Sequence, residues 1–298
     1  MRTDTAFSSD GATLRGWLYR PDGVAARVPV IVMAHGFSAT KEMDLPSFAE
    51  NFCKAGFAVL LYDHRNLGSS DGEPRGEIDP WQQIRGYRDA ITYAQTLPGI
   101  DPARVGIWGS SYSGGHVIVV GAIDRRVKCV VCQVPPVDIY AEIQRRMPAE
   151  MISQLRAQFD ADRAARFRGK PPAMIPVVAE KEGAPGFFQT DDCRKYFLSF
   201  GNRAPTWRNE ITLRSVEMAF EYNPGSYIAR VSPTPFLMVV GLGDTLAVAD
   251  LALDAYDRAR PPKHLVSLGC GHFDPYSGHF FEPNVAAQRA WFVEHLKP

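Results

Sequence analysis

The sequence has no charge of one sign to spare. Its 33 basic residues are matched by 33 acidic ones, so no overall field draws it to nucleic acid or to an anionic membrane, and a small molecule is the expected partner. Cysteine is scarce: five in 298 residues, an odd number scattered along the chain, which excludes a disulfide framework. Cys129 and Cys132 do make a C-x-x-C inside "RVKCVVCQV". That run reads as a buried strand, where side chains three apart point to opposite faces, so the pair closes neither on a metal nor on itself. Long hydrophobic runs are missing too. The longest, "VPVIVMA" from Val28, falls far short of the roughly 20 residues that span a bilayer, and the opening "MRTDTAFSSDGATL" lacks the apolar centre of a secretion signal. The expectation is a cytoplasmic protein, with self-association left open. No repeat or low-complexity tract occurs, and the composition excludes disordered and collagen-like chains.

What is present is apolar residues in two alternating periods. At 45% hydrophobic the chain can bury a sizeable core, and its length exceeds the roughly 100–200 residues of a usual domain, so one large core with an addition is expected. "AFSSDGATLRGWLYRP" reads as a hairpin turning at Asp10-Gly11. Continuous apolar runs at "VPVIVMAHG", "GFAVLLYDH", "RVGIWG" and "VKCVVCQVP" read as strands covered on both faces. Helical stretches separate them: Asp44 to Ala55, a segment capped by Asp79 with Pro80 at its first position, and Ser111 to Ile123. The alternation breaks at about Val137 and resumes after about Arg230 with "TPFLMVVG", "VADLALDAYDRA", "KHLVSLG" and "NVAAQRAWFVEHL". The pattern predicts an α/β fold, a mostly parallel doubly wound sheet built from residues 1–136 and 231–298, with residues 137–230 inserted as a helical cap.

In such sheets functional groups collect at the carboxyl ends of strands. After "RVGIWG" comes Ser111, after "TPFLMVVGLG" comes Asp244, and after "KHLVSLGCG" comes His272. A serine needs a base within hydrogen-bond reach, imidazole titrates near neutrality, and a carboxylate holds the imidazole's tautomer. The order Ser, acid, His is that of the nucleophile-elbow hydrolases. "GIWGSSYSGG" offers three serines, and sterics choose among them, because a sharp strand-to-helix turn needs small residues two before and two after the nucleophile. Ser110 has Trp108 two before it, and Ser113 lies in the coming helix. Ser111 has Gly109 and Ser113, so Ser110 and Ser113 read as small neighbours of the bend. Asp138 and Asp250 are rival acids and His279 a rival base; His116 reads as packing or a solvated face, and Cys270 lacks an elbow.

The oxyanion of acyl transfer is expected on two backbone N–H groups, that of Tyr112 and, from the loop after "VPVIVMA", that of Phe37. His35 reads as shaping that loop, and Asp63, His64 and Arg65 as bracing it. Together "VMAHGF", "YDHRNLGSSDG", "GSSYSGG", "GLGD" and "GHFDPY" resemble the α/β-hydrolase superfamily over nearly the whole chain outside the insertion. Within it they are similar to the dienelactone-hydrolase-like and X-Pro-peptidase-like branch that includes cocaine esterase and the fungal polyketide transferases. The resemblance implies Ser111, Asp244 and His272 as triad and a helical cap. Dienelactone hydrolases proper carry Cys where this chain has Ser111, and many esterases carry Gly where it has Ser113.

The insertion is expected to choose the substrate, with Phe187, Phe188, Trp207 and Tyr227 as candidate lining residues. Its stretch from Ala141 to Lys170 holds seven basic and four acidic residues, an excess read as a solvated helix face. The expected chemistry is ester or thioester hydrolysis through an acyl-enzyme, with no metal and no cofactor. The alternative is acyl transfer to an alcohol. A peptidase would need an acidic cluster for a charged N-terminus, and none stands out; a non-enzymatic binding protein would keep the fold without the reaction.

Overall fold

The first two strands, β1 (Arg2–Ser9) and β2 (Ala12–Tyr19), pair antiparallel in the expected hairpin, with β1 at the sheet edge. Asp10 and Gly11 both take positive φ (45° and 78°), the geometry of a tight turn whose twist matches its strands. This computed structural model describes residues 1–23, 26–181 and 183–298. The strands β3 (Val28–Ala34), β4 (Ala58–Tyr62), β5 (Ile100–Ser110) and β6 (Val127–Gln133) follow, and the helices between them are α1 (Leu45–Lys54), α2 (Pro80–Thr96) and α3 (Tyr112–Ile123). Asp79 caps α2 by accepting from the N–H groups of Trp81 and Gln82, and Pro80 fills the first turn where no N–H partner is required.

After β6 the chain leaves the sheet through α4 (Ile139–Arg146), α5 (Ala149–Phe167), the short β7 (Met174–Ile175), α6 (Asp191–Ser199), β8 (Ile211–Thr212) and α7 (Leu213–Phe220); β7 and β8 pair only with each other. The excursion is tied at its base: Gly225 N–H donates to the Val137 carbonyl (2.8 Å), Ile139 N–H to that of Tyr222 (3.3 Å), and Asn223 Nδ2 to Asp138 Oδ2 (2.7 Å). The sheet then resumes with β9 (Phe236–Gly241), α8 (Ala249–Arg258), β10 (Lys263–Leu268) and α9 (Gly278–Leu296).

The eight-stranded sheet runs β1-β2-β4-β3-β5-β6-β9-β10 and is parallel from β4 to β10. Successive residues of β3 divide between two cores: Val30, Val32 and Ala34 face α2, α3 and α8, while Ile31 and Met33 face α1 and α9. Each such fully buried side chain contributes about 1.5–3 kcal/mol, so the strands are fixed and their ends are reliable platforms. Cys129 and Cys132 lie in opposite cores and are free thiols, as their spacing on β6 requires. None of the described helices is long and apolar enough to cross a membrane.

Candidate active site

Ser111 joins β5 to α3 with φ 54° and ψ −123°, a conformation that costs an ordinary residue about 1–3 kcal/mol and persists only when its surroundings over-determine it. Here they do. Its N–H donates to the Gln133 carbonyl on the neighbouring strand β6 (2.8 Å), and its own carbonyl accepts from Gly115 (3.2 Å). The bend is tight enough that a Cβ on Gly109 would stand 2.1 Å from the Ser113 carbonyl oxygen, so only glycine fits there.

His272 Nε2 lies 3.0 Å from Ser111 Oγ, and His272 Nδ1 lies 2.7 Å from Asp244 Oδ2. Neutral His272 with its proton on Nδ1 donates to Asp244 and accepts from the Ser111 hydroxyl, the arrangement in which a base can take the serine proton. Asp244 is held in turn: its Oδ1 accepts the N–H groups of Leu246 (2.8 Å) and Ala247 (3.0 Å). The loop after β3 closes over the serine, where a Cβ on Gly36 would come within 2.8 Å of Ser111 Cβ. Among the described residues no protein group accepts the N–H of Phe37 or of Tyr112, and the latter sits in the first turn of α3, where such donors are free for an anion.

Beside these groups opens a cavity of about 760 Å³, mouth included. Phe187, Phe188 and Phe197 of the excursion form one wall, with Phe187 packed on Phe37 (ring centroids 5.3 Å apart), and Ile139, Glu142 and Arg146 of α4 form another. Trp207 does not line it; its ring stacks behind Phe197 (5.6 Å). Tyr227 is also outside, packed on Trp81 (6.2 Å) and under the Arg230 guanidinium. The family model for X-Pro dipeptidyl-peptidases matches residues 10–274. The chain belongs to the X-Pro dipeptidyl-peptidase (S15) family.

Relatives of this S15-family chain include a thiohydrolase of Aspergillus aculeatus, 34% identical over 86% of this chain and 81% of the relative. A polyketide transferase of a Penicillium species is 31% identical over 92% of this chain and 90% of its own. Among solved structures, the α/β hydrolase GrgF from Penicillium superposes with a TM-score of 0.86 at 29% identity, over the whole of both chains. The fold is that of the α/β hydrolases.

In this S15-family chain the rival acids and base stand elsewhere. Asp138 caps α4, accepting from Ala141 N–H (3.0 Å); Asp250 pairs with Arg145 (3.0 Å); His279 is exposed in the first turn of α9. Cys270 is buried and its thiol is pushed up to about 11, mainly by burial, which keeps it protonated. His116 is fully buried rather than solvated, between the Tyr222 hydroxyl (2.9 Å) and Gln83 Oε1 (2.8 Å), and burial lowers it to about 3. His35 and His64 are likewise buried and shifted down by burial, so all three stay uncharged at neutral pH. Asp63 receives the N–H (2.8 Å) and Nζ (2.7 Å) of buried Lys41, which ties the loop after β3 to the end of β4.

Two serines have more than small size to offer. Ser113 Oγ donates to the His35 carbonyl (2.5 Å) and accepts from His64 Nε2 (2.9 Å), which fastens the elbow helix to the loop that carries Phe37. Ser110 Oγ lies 2.5 Å from the Tyr276 hydroxyl and accepts from Gln133 Nε2 (3.1 Å). Gln133 accepts in turn from Asn284 (2.7 Å) and Gln288 (2.9 Å) of α9. The motif spacing marks both positions only as small; their partners come from the loops after β3 and β4, from β6 and from the turn before α9, which no local pattern joins.

Proposed function

We propose that this chain is a serine hydrolase that cleaves an ester or thioester through an acyl-enzyme. Ser111 attacks the carbonyl, His272 takes its proton and returns it to the leaving group, and Asp244 orients the imidazole and stabilises its charged form. The N–H groups of Phe37 and Tyr112 hold the oxyanion, water deacylates the enzyme, and residues 137–230 act as the cap that selects the acyl group. The observation that carries this reading is the unbroken relay from Ser111 Oγ to His272 (3.0 Å) to Asp244 (2.7 Å) on a strained elbow. The thiohydrolase relative supports the thioester as the bond at stake.

Peptidase action is disfavoured by the cavity itself. Glu142 is the one carboxylate of its lining among the described residues, and burial pushes it up to about 8, so at neutral pH it offers no fixed anion to a peptide's N-terminal ammonium. Acyl transfer remains the second reading, favoured by the polyketide transferase relative and by an apolar, partly enclosed site that can hold an alcohol acceptor in place of water.

A fluorophosphonate probe tests the reading: labelling at Ser111 that vanishes in Ser111→Ala supports it, and absence of labelling in the native protein refutes it. On p-nitrophenyl esters and acyl thioesters, Asp244→Asn is expected to lower kcat by about 10³–10⁴. If Asp138→Asn does so instead, the acid is misassigned. Ester formation in preference to free acid when alcohols are added selects transfer over hydrolysis.

A further inference from the structure

We infer that the cavity beside Ser111 is shaped for an acyl chain bearing a carboxylate at its far end, held by the guanidinium of Arg146; this rests on the cavity being the acyl site. Ile139, Glu142 and Arg146 follow one another at i, i+3 and i+7, one face of α4, and all three line the cavity. Seven residues of helix place Arg146 about 10 Å farther along the α4 axis than Ile139, so the wall runs from apolar to cationic along its length. Arg146 is the one guanidinium or ammonium of the lining among the described residues.

Among the described residues it has no counter-ion of its own. The one acceptor it reaches among the described residues is the Glu142 carbonyl, 3.2 Å from its Nε, and it forms no ion pair there. The nearby acids are spoken for. Glu142 Oε1 takes the Val137 N–H (2.9 Å), and burial keeps its carboxyl protonated at neutral pH. Asp244 already accepts from His272, Leu246 and Ala247. The Cys193 thiol is pushed up to about 12, chiefly by burial, and carries no charge. Arg145, by contrast, pairs with Asp250 and faces outward. A partly buried guanidinium on a residue that lines an aromatic-walled cavity forfeits hydration without a partner, and a carboxylate in bidentate contact restores it. Phe187, Phe188 and Phe197 line the same cavity, and an apolar, water-poor lining strengthens such a contact.

Mono-p-nitrophenyl esters of adipic, suberic and sebacic acids, each beside its methyl-capped neutral counterpart, test this at pH 7. For at least one length the carboxylate ester is expected to exceed its neutral partner in kcat/KM by about tenfold or more, carried by KM. That ratio falls to near one in Arg146→Met and is partly kept in Arg146→Lys. A ratio near one at every length in the native protein, or a ratio that survives Arg146→Met, overturns the inference. Calorimetry of free suberate with Ser111→Ala, against Ser111→Ala/Arg146→Met, reads the same contact without turnover. Binding that depends on Arg146 while neither ester is cleaved would sink the hydrolase reading and leave this one standing; turnover with no preference and no Arg146-dependent binding does the reverse.

Discussion

Replacing Ser113 with alanine removes one oxygen atom and strands two buried groups. The His35 carbonyl loses its side-chain donor, and His64 Nε2 loses its partner in a place where His64 Nδ1 has none among the described residues. Both histidines are about 1% exposed, so water cannot substitute. Each unsatisfied buried group costs about 1–3 kcal/mol, and since the alanine methyl fills nearly the same space, the total is about 3 kcal/mol. For a chain of this size that lowers Tm by about 5–8 °C. Function is expected to follow, because His35 lies two residues before Phe37: a loosened loop misplaces an oxyanion donor, and kcat falls about tenfold while Ser111 still takes the fluorophosphonate probe. Chemical denaturation and steady-state kinetics read both effects, and a double-mutant cycle with His64→Ala should return a coupling of about 1 kcal/mol or more. A Ser113→Ala protein within about 0.5 kcal/mol of the native one, with kcat unchanged, would refute the reasoning.

Gly36→Ala puts a methyl 2.8 Å from Ser111 Cβ and 3.2 Å from its Oγ; kcat is expected to drop at least tenfold with little loss of Tm, which kinetics and calorimetry on one sample will check. The Glu142 carboxyl rises from 4.5 in the unfolded chain to about 8 when folded. The native state therefore binds the extra proton between those values, and the stability this supplies is full below pH 4.5 and lost as pH climbs through 8. Glu142→Gln keeps an acceptor for the Val137 N–H and cannot ionise, so urea unfolding should find it gaining on the native protein from pH 5 to pH 9 by a few kcal/mol; equal pH slopes would contradict this. Cys270→Ser should leave probe labelling and kcat within about twofold, and a large loss would mean that the thiol acts in the reaction.

That Ser111, His272 and Asp244 stand together was readable from the chain because strand ends are readable: an apolar run of one period stops, and the next polar residue is on the platform. The register at Ser111 was readable for a steric reason, since a Cβ at Gly109 collides with the Ser113 carbonyl and glycine records that collision in the sequence. The lining of the cavity was much less so. Phe187, Phe188, Trp207 and Tyr227 are equally aromatic, and only the packing of the excursion against Phe37 decides that the first two face the site while Trp207 backs them and Tyr227 lies with Trp81. Arg146 was hidden in a basic stretch that reads as solvated, because a helix face turns inward or outward according to what it meets, and α4 turns inward the face that carries buried Ile139 and Glu142.

The tie at the base of the excursion has a consequence for how this scaffold can change. Three hydrogen bonds hold the segment around Val137 to Ile139 against that around Tyr222 to Gly225, and a Cβ at Gly225 would stand 2.9 Å from the Val137 carbonyl oxygen, so the two chain segments lie in contact. Because the ends are already joined, the closure entropy of what lies between grows only with the logarithm of its length. The stretch from α4 to α7 is in that sense an exchangeable cassette, one that a shorter or longer segment from a relative could replace without moving the ends of β5, β9 and β10. On the cap role proposed for residues 137–230, substrate range can diverge there while Ser111, His272 and Asp244 stay in place.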